Sequence, residues 1–293
     1  MALREYLIEE VAEDYADGLM TRREAMRRLG LLALSASAAA ALLAACGTSG
    51  ESASAPAATG GTGATTAGAR AEIVRFKGPS GEIQAAWAPA AKPKASVLVI
   101  HENRGLTPHF HDLVGRFAKE GYSALCVDLL SPEGGTDSFT DPAAAPTALS
   151  KASPERLVGD LRAGVDDLKR RLPNLKTGAV GFCFGGGMTW QLLNVGEARL
   201  AAAVPFYGPA PDSPDFSKAK AAVLAMYGGL DERVNATRPK VEAAMRKAGL
   251  TFEIKTFQGA NHAFFNDTGP RYNAQAAGEA WTAMLAWYQK HLA

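Results

Sequence analysis

Four short, continuously apolar runs, 96–100, 122–127, 178–182 and 221–227, recur along the chain, most of them separated by stretches of helical character. A strand with no polar face must be covered on both sides. Crossover helices between such strands supply that cover and make the strands parallel. The expected fold is therefore α/β, a mostly parallel central sheet with helices on both faces. Helices are expected over 108–120, 186–194, 235–247 and 273–292, and further strands over 200–206 and 252–257. A hairpin at 73–76 and 83–87 turns on Gly78-Pro79-Ser80-Gly81. Ser153-Pro154 places an N-cap and an N1 proline at the start of a helix running to about residue 172, after a Gly/Pro-rich excursion over 131–153.

The front of the chain has a different character. Residues 1–28 are polar and carry Arg22-Arg23 and Arg27-Arg28, and residues 29–45 hold no charge and are rich in Leu and Ala. That order is an n-region followed by an h-region. Thr21-Arg22-Arg23 resembles a twin-arginine export signal, and Leu43-Ala44-Ala45-Cys46 resembles a lipobox whose cysteine is acylated. The expectation is an exported chain on the periplasmic or cell-envelope side, tethered to a membrane through Cys46. Ordinary cleavage nearby and an uncleaved anchor are the alternatives. The acids of the n-region, Glu9, Glu10, Glu13, Asp14 and Asp17, are atypical of such a segment. Residues 47–69 are Gly, Ser, Thr, Ala and Pro except for Glu51, a composition with too little apolar surface to order itself. The organisation expected is a signal segment over 1–45, a linker over 46–70 and one domain over 71–293.

Composition narrows the function classes. With 31 basic against 30 acidic residues there is no net field for nucleic acid, and losing the first 45 residues leaves +3. Three scattered cysteines, Cys46, Cys126 and Cys183, cannot make a disulfide scaffold or a four-ligand zinc site. No cofactor is implied, and the oligomeric state is left open.

The chemistry concentrates at Gly181-Phe182-Cys183-Phe184-Gly185-Gly186-Gly187, where a buried strand meets a helix. In the hydrolase pattern G-x-S-x-G, a strained turn lifts the nucleophile above the sheet, and the glycines avoid collisions with neighbouring backbone. Cysteine replaces serine in this chain. The helix N-terminus favours a thiolate and an adjacent oxyanion. Asp231 follows the strand ending at Tyr227, and His262 follows the strand ending near Phe257, so the order is nucleophile, acid, histidine, as in α/β-hydrolases. In that arrangement His262 takes the thiol proton and Asp231 fixes its tautomer.

Together with His101-Glu102-Asn103-Arg104-Gly105-Leu106, Gly229-Leu230-Asp231 and Ala260-Asn261-His262-Ala263-Phe264, these motifs resemble the dienelactone hydrolase family over residues 72–293. The resemblance implies an α/β-hydrolase fold and a Cys183-Asp231-His262 triad acting through an acyl-enzyme on a small lactone, enol ester or related activated ester. It also implies that Glu102 contacts the resting cysteine and assists its deprotonation, and that the backbone N–H groups of Asn103 and Phe184 form the oxyanion hole. Archetypal members hold a substrate carboxylate with an arginine four residues after the histidine, where this chain has Asn266; Arg104 or Arg271 could substitute.

Other readings stay open at this stage. A general carboxylesterase or thioesterase would use the same triad, and a non-catalytic or redox protein would pair Cys183 with Cys126. His101, His109 and His111 could be weighed as a metal set but read as surface or loop histidines, so no metal is expected. Asp128 reads as a turn cap rather than the triad acid.

Overall fold

A computed structural model describes residues 3–45, 71–141 and 143–293. Cys46 and the expected linker lie outside the described residues. In chain order the elements are helices α1 (Leu3–Ala16), α2 (Arg22–Leu31) and α3 (Ala36–Ala45), then strands β1 (Glu72–Gly78), β2 (Gly81–Ala88) and β3 (Ala95–Ile100). Helix α4 (Pro108–Lys119), β4 (Tyr122–Val127), α5 (Ala144–Lys151), α6 (Pro154–Arg171), β5 (Thr177–Phe182) and α7 (Phe184–Asn194) follow. The chain finishes with β6 (Leu200–Phe206), β7 (Ala222–Gly228), α8 (Glu232–Asn235), α9 (Arg238–Lys247), β8 (Phe252–Phe257) and α10 (Ala274–Leu292).

The apolar runs do lie side by side. One eight-stranded sheet has the order β1-β2-β4-β3-β5-β6-β7-β8, antiparallel only where β2 meets β1 and β4. Every residue of β3, β4, β5 and β7 is buried, as strands covered on both faces must be. Phe117 of α4 packs on Trp281 and Tyr288 of α10, closing one cover of the sheet. The outer strands are half-exposed and charged, with Arg75 and Lys77 on β1 and Glu253 and Lys255 on β8. The expected caps are present: the Ser153 hydroxyl accepts the Arg156 N–H at 3.1 Å with Pro154 at N1.

Three features depart from expectation. The excursion after β4 contains α5, and the helix expected over 235–247 is broken into α8 and α9, with Pro239 in the first turn of α9. More consequentially, the apolar run 29–45 is not one helix. It is shared between the end of α2 and α3, and Thr21 caps α2 by accepting the Glu24 N–H at 3.2 Å. Among the described residues no helix is long and apolar enough to cross a membrane. Arg22 and Arg23 are exposed, while Tyr6, Leu7 and Leu32 join the main core of the molecule.

Candidate active site

β5 delivers Cys183 to the carboxyl edge of the sheet. Cys183 caps α7 with φ 56° and ψ −118°, a left-handed backbone costing on the order of 1–3 kcal/mol for a residue with a side chain. The strain is held by close packing on both sides. A Cβ on Gly181 would strike the Gly185 carbonyl, and one on Gly185 would strike the carbonyls of Ile100 and His101. Phe184 is the first residue of α7, so its N–H has no acceptor within the helix.

The two partners arrive from neighbouring strand ends. Asp231, directly after β7, accepts the Val234 N–H at 3.1 Å on one carboxylate oxygen and lies 2.7 Å from His262 Nδ1 with the other. Both residues are buried. Burial works against ionisation of Asp231, yet the His262 ring and the Val234 N–H hold its carboxyl below the usual range. Burial likewise opposes charge on His262, but Asp231 and the Cys183 sulfur outweigh it and raise the imidazole well above its ordinary value. The Cys183 thiol is pushed up by burial first and by the carboxylate of Glu10 second, with His262 pulling the other way.

Glu10 belongs to α1, and α1 lies over the site. The Tyr6 hydroxyl is 3.0 Å from Cys183 Sγ and 3.3 Å from His262 Nε2, bridging the two. The Glu10 carboxylate oxygens lie 3.8 and 3.9 Å from the sulfur, and one of them accepts the Asn103 amide at 2.8 Å. A cavity of about 380 Å³ opens beside this cluster, bordered by Glu102, Arg104, Thr107, Asn266 and Arg271. Glu10, Cys183 and His262 place ligand-type atoms within 4.8 Å of one another. They are the one group of that kind among the described residues, and His101, His109 and His111 are not in it.

The model of the dienelactone hydrolase family matches residues 83–292. A candidate carboxymethylenebutenolidase of Methylorubrum extorquens is 31% identical over 213 residues, covering 68% of this chain and 73% of its own. The chain belongs to the dienelactone hydrolase family. A second candidate carboxymethylenebutenolidase, from Saccharolobus solfataricus, is 29% identical over 250 residues and is covered over 96% of its length. The solved structure of a candidate dienelactone hydrolase from Klebsiella pneumoniae is 28% identical with a TM-score of 0.66, covering 75% of this chain and 98% of that one. A dienelactone hydrolase-like promiscuous phosphotriesterase from metagenomic libraries shares the fold, at 23% identity, a TM-score of 0.59 and coverage of 76% of this chain and 100% of that one. The protein is thus a hydrolase of the dienelactone hydrolase type, on an α/β-hydrolase fold.

The residues that family resemblance assigns are gathered at one edge of the sheet, with two differences in their partners. Glu102 is in the site and its charge adds to the upward push on the thiol, behind Glu10. Its carboxylate accepts from the Tyr207 hydroxyl at 3.4 Å and from the Asn266 amide at 2.8 Å. The carboxylate at the sulfur is that of Glu10. Asn266 therefore orients Glu102 in this chain. Arg271 borders the cavity but is engaged: it donates to Asp14 at 2.7 Å and to Asp17 at 2.6 and 3.0 Å and is only 11% exposed. Arg104 is exposed.

The remaining expectations divide. Asp128 accepts N–H groups of Leu130 and Thr136 at 3.0 and 2.7 Å, which is a turn cap. His101 and His109 are not surface histidines. His101 is buried against the Glu102 carbonyl and the Leu129 N–H, and His109 is buried against Asp267 at 2.8 Å. A Cys126–Cys183 disulfide does not form, since both are free. Cys126 pairs with Val99 on β3, and β3 separates it from β5, so two inter-strand steps of about 4.8 Å each exceed disulfide reach. Sequence reasoning missed Tyr6 and Glu10, although the unusual acidity of residues 9–17 was the signal that could have found them.

Proposed function

We propose that the protein hydrolyses small activated esters, lactones or enol esters through Cys183, with His262 as acid and base and Asp231 as its orienting carboxylate. The buried Asp231–His262 contact at 2.7 Å, with a His262 ring nitrogen and Cys183 Sγ within 4.8 Å at a helix N-terminus, carries this reading. The thiol proton passes to His262 and the sulfur attacks the ester carbonyl carbon. The resulting oxyanion is met by the N–H groups of Phe184 and Asn103. Collapse breaks the C–O bond while His262 returns the proton to the leaving oxygen, which in a lactone stays attached to the acyl group. Water, deprotonated by His262, then cleaves the thioester and frees the carboxylic acid and the thiol. An enol ester or enol lactone supplies a good leaving oxygen, which supports that class over unactivated alkyl esters.

In a Tyr6→Ala background, which clears the hydroxyl 3.0 Å from Cys183 Sγ, Cys183→Ala removes the covalent route, so the folded variant should lose hydrolysis of an activated aryl ester; turnover at the rate of the Cys183-containing protein would refute the proposal. We also propose that the chain is exported and tethered at Cys46, on the strength of Arg22-Arg23 and Leu43-Ala44-Ala45-Cys46. Intact mass of the protein recovered from cells should show an acylated terminus at Cys46, and an unmodified Met1 terminus would overturn it.

A further inference from the structure

A thiol that attacks an ester must have the carbonyl within about 3–3.5 Å. In the full chain that shell around Cys183 is occupied. The Tyr6 hydroxyl stands 3.0 Å from the sulfur and Glu10 covers it from 3.8 Å, leaving Cys183 2% and His262 1% exposed. Although the cavity reaches Cys183, a carbonyl cannot come within attacking distance of the sulfur without displacing the Tyr6 hydroxyl.

The fit of α1 is specific in shape and charge. Tyr6 is 1% exposed, and the Arg233 guanidinium lies 4.5 Å from its ring centroid. Nη1 and Nη2 of Arg233 are buried without a hydrogen-bond acceptor among the described residues, so the ring face is what receives them, while Nε donates to Glu13 at 2.9 Å. One turn on, Asp14 and Asp17 hold Arg271. A helix of 14 residues is marginal alone in water, and this one gains its order from the surface beneath it. The acids that suit an n-region poorly suit this mouth, which presents Arg233, Arg271 and the Asn103 amide.

We propose that the mouth of the Cys183 site is a docking surface for the chain's own acidic helix α1, which acts as an intramolecular inhibitor with the Tyr6 hydroxyl held where the scissile group must lie. This rests on the reading of Cys183 as nucleophile. Removal of residues 1–45 would carry away α1, α2 and α3 together and free the site, so the enzyme is silent while its leader is attached. Arg22 and Arg23 stay exposed in the docked form, leaving that pair readable by a receptor while the site is closed.

The test uses the full chain with its leader intact. Alkylation of Cys183 by iodoacetamide, located by peptide mass, reports access without requiring turnover, and aryl-ester hydrolysis is followed in parallel. Tyr6→Ala, and separately Asp14→Lys with Asp17→Lys, should each raise the alkylation rate by about tenfold or more, as the competent population grows. Adding Arg271→Glu to the second variant should restore protection, and a synthetic peptide of residues 1–20 should protect the Tyr6→Ala protein whereas the same peptide with Tyr6→Ala should not. Cys126, buried in β4, should stay unreactive throughout. Equal alkylation of parent and both variants, or a rise shared by Cys126, would overturn the proposal. A rise at Cys183 alone, without any gain in ester hydrolysis, would uphold the docking and refute the hydrolase reading.

Discussion

Gly185→Ala should damage both stability and activity by a mechanism legible in the elbow. Its added Cβ would be 2.6 Å from the His101 carbonyl oxygen and closer still to that of Ile100. Both obstacles are backbone, at the end of a strand paired on either side, and neither can rotate away. Relief requires α7 to lift off β3, which moves Cys183 at its N-cap. Overpacking of this kind costs about 2–3 kcal/mol, and in a domain of this size about 2–4 °C of Tm is lost per kcal/mol, so Tm should fall by about 5–10 °C. A displacement of the nucleophile approaching 1 Å should lower kcat/KM by about 100-fold. Two glycines serve as controls. Gly187→Ala would meet Pro209, its ring at 3.3 Å and its carbonyl oxygen at 3.5 Å, and should be mild. Gly278→Ala, exposed in α10 with nothing within 4 Å, should stabilise by about 0.5–1 kcal/mol. Thermal unfolding by circular dichroism on the three proteins, and aryl-ester kinetics on each of them in the Tyr6→Ala background, decide the matter. If Gly185→Ala melts no lower than Gly187→Ala and keeps its kcat/KM, the elbow is not held by that packing.

In the Tyr6→Ala background, Asp231→Asn keeps the shape but removes the charge that sustains His262, so kcat/KM should drop at least about 100-fold with little change in KM, and an undiminished kcat would contradict the assigned role. Glu10→Gln should lower the Cys183 pKa, because one of the two leading causes of its elevation is gone, and the pH profile of alkylation should move to lower pH. Glu10 itself is raised by burial, with Asp14 and Glu102 adding to the rise and His262 and Arg233 opposing it. A carboxyl raised by docking favours the docked state most below its free value of about 4.5 and loses that contribution as pH climbs through the docked value. The alkylation ratio of Tyr6→Ala to parent should therefore fall with rising pH, and Glu10→Gln should flatten that dependence.

The fold and the gathering of Cys183, Asp231 and His262 at one sheet edge were readable in the sequence because their causes are local. Strands covered on both faces leave unbroken apolar runs, and the elbow needs small residues at fixed offsets from Cys183. Asp231 and His262 likewise sit one residue group beyond their strands. Helix α5 escaped notice because its residues, Ala-Ala-Pro-Thr-Ala-Leu-Ser-Lys, lie within a Gly/Pro-rich excursion. The docking of α1 was illegible for a different reason. It depends on Tyr6 meeting Arg233 and on Asp14 and Asp17 meeting Arg271, pairs more than 200 positions apart with no shared periodicity. Composition marked the acids as odd for a leader, and only the assembled surface says what they answer to. Glu102 shows the same limit: its position was evident, but Asn266 and Tyr207 as its partners were not.

The charged margins of the sheet carry one more consequence. Among the described residues β1 and β8 end the sheet with no further strand beyond them, leaving the surface on which a stray strand from another molecule would add. Arg75 and Lys77 on one margin and Glu253 and Lys255 on the other put hydrated side chains along those rims, and a newcomer would have to strip water from each of them. Strand addition by a second copy at either rim is therefore opposed by the cost of desolvating those charges.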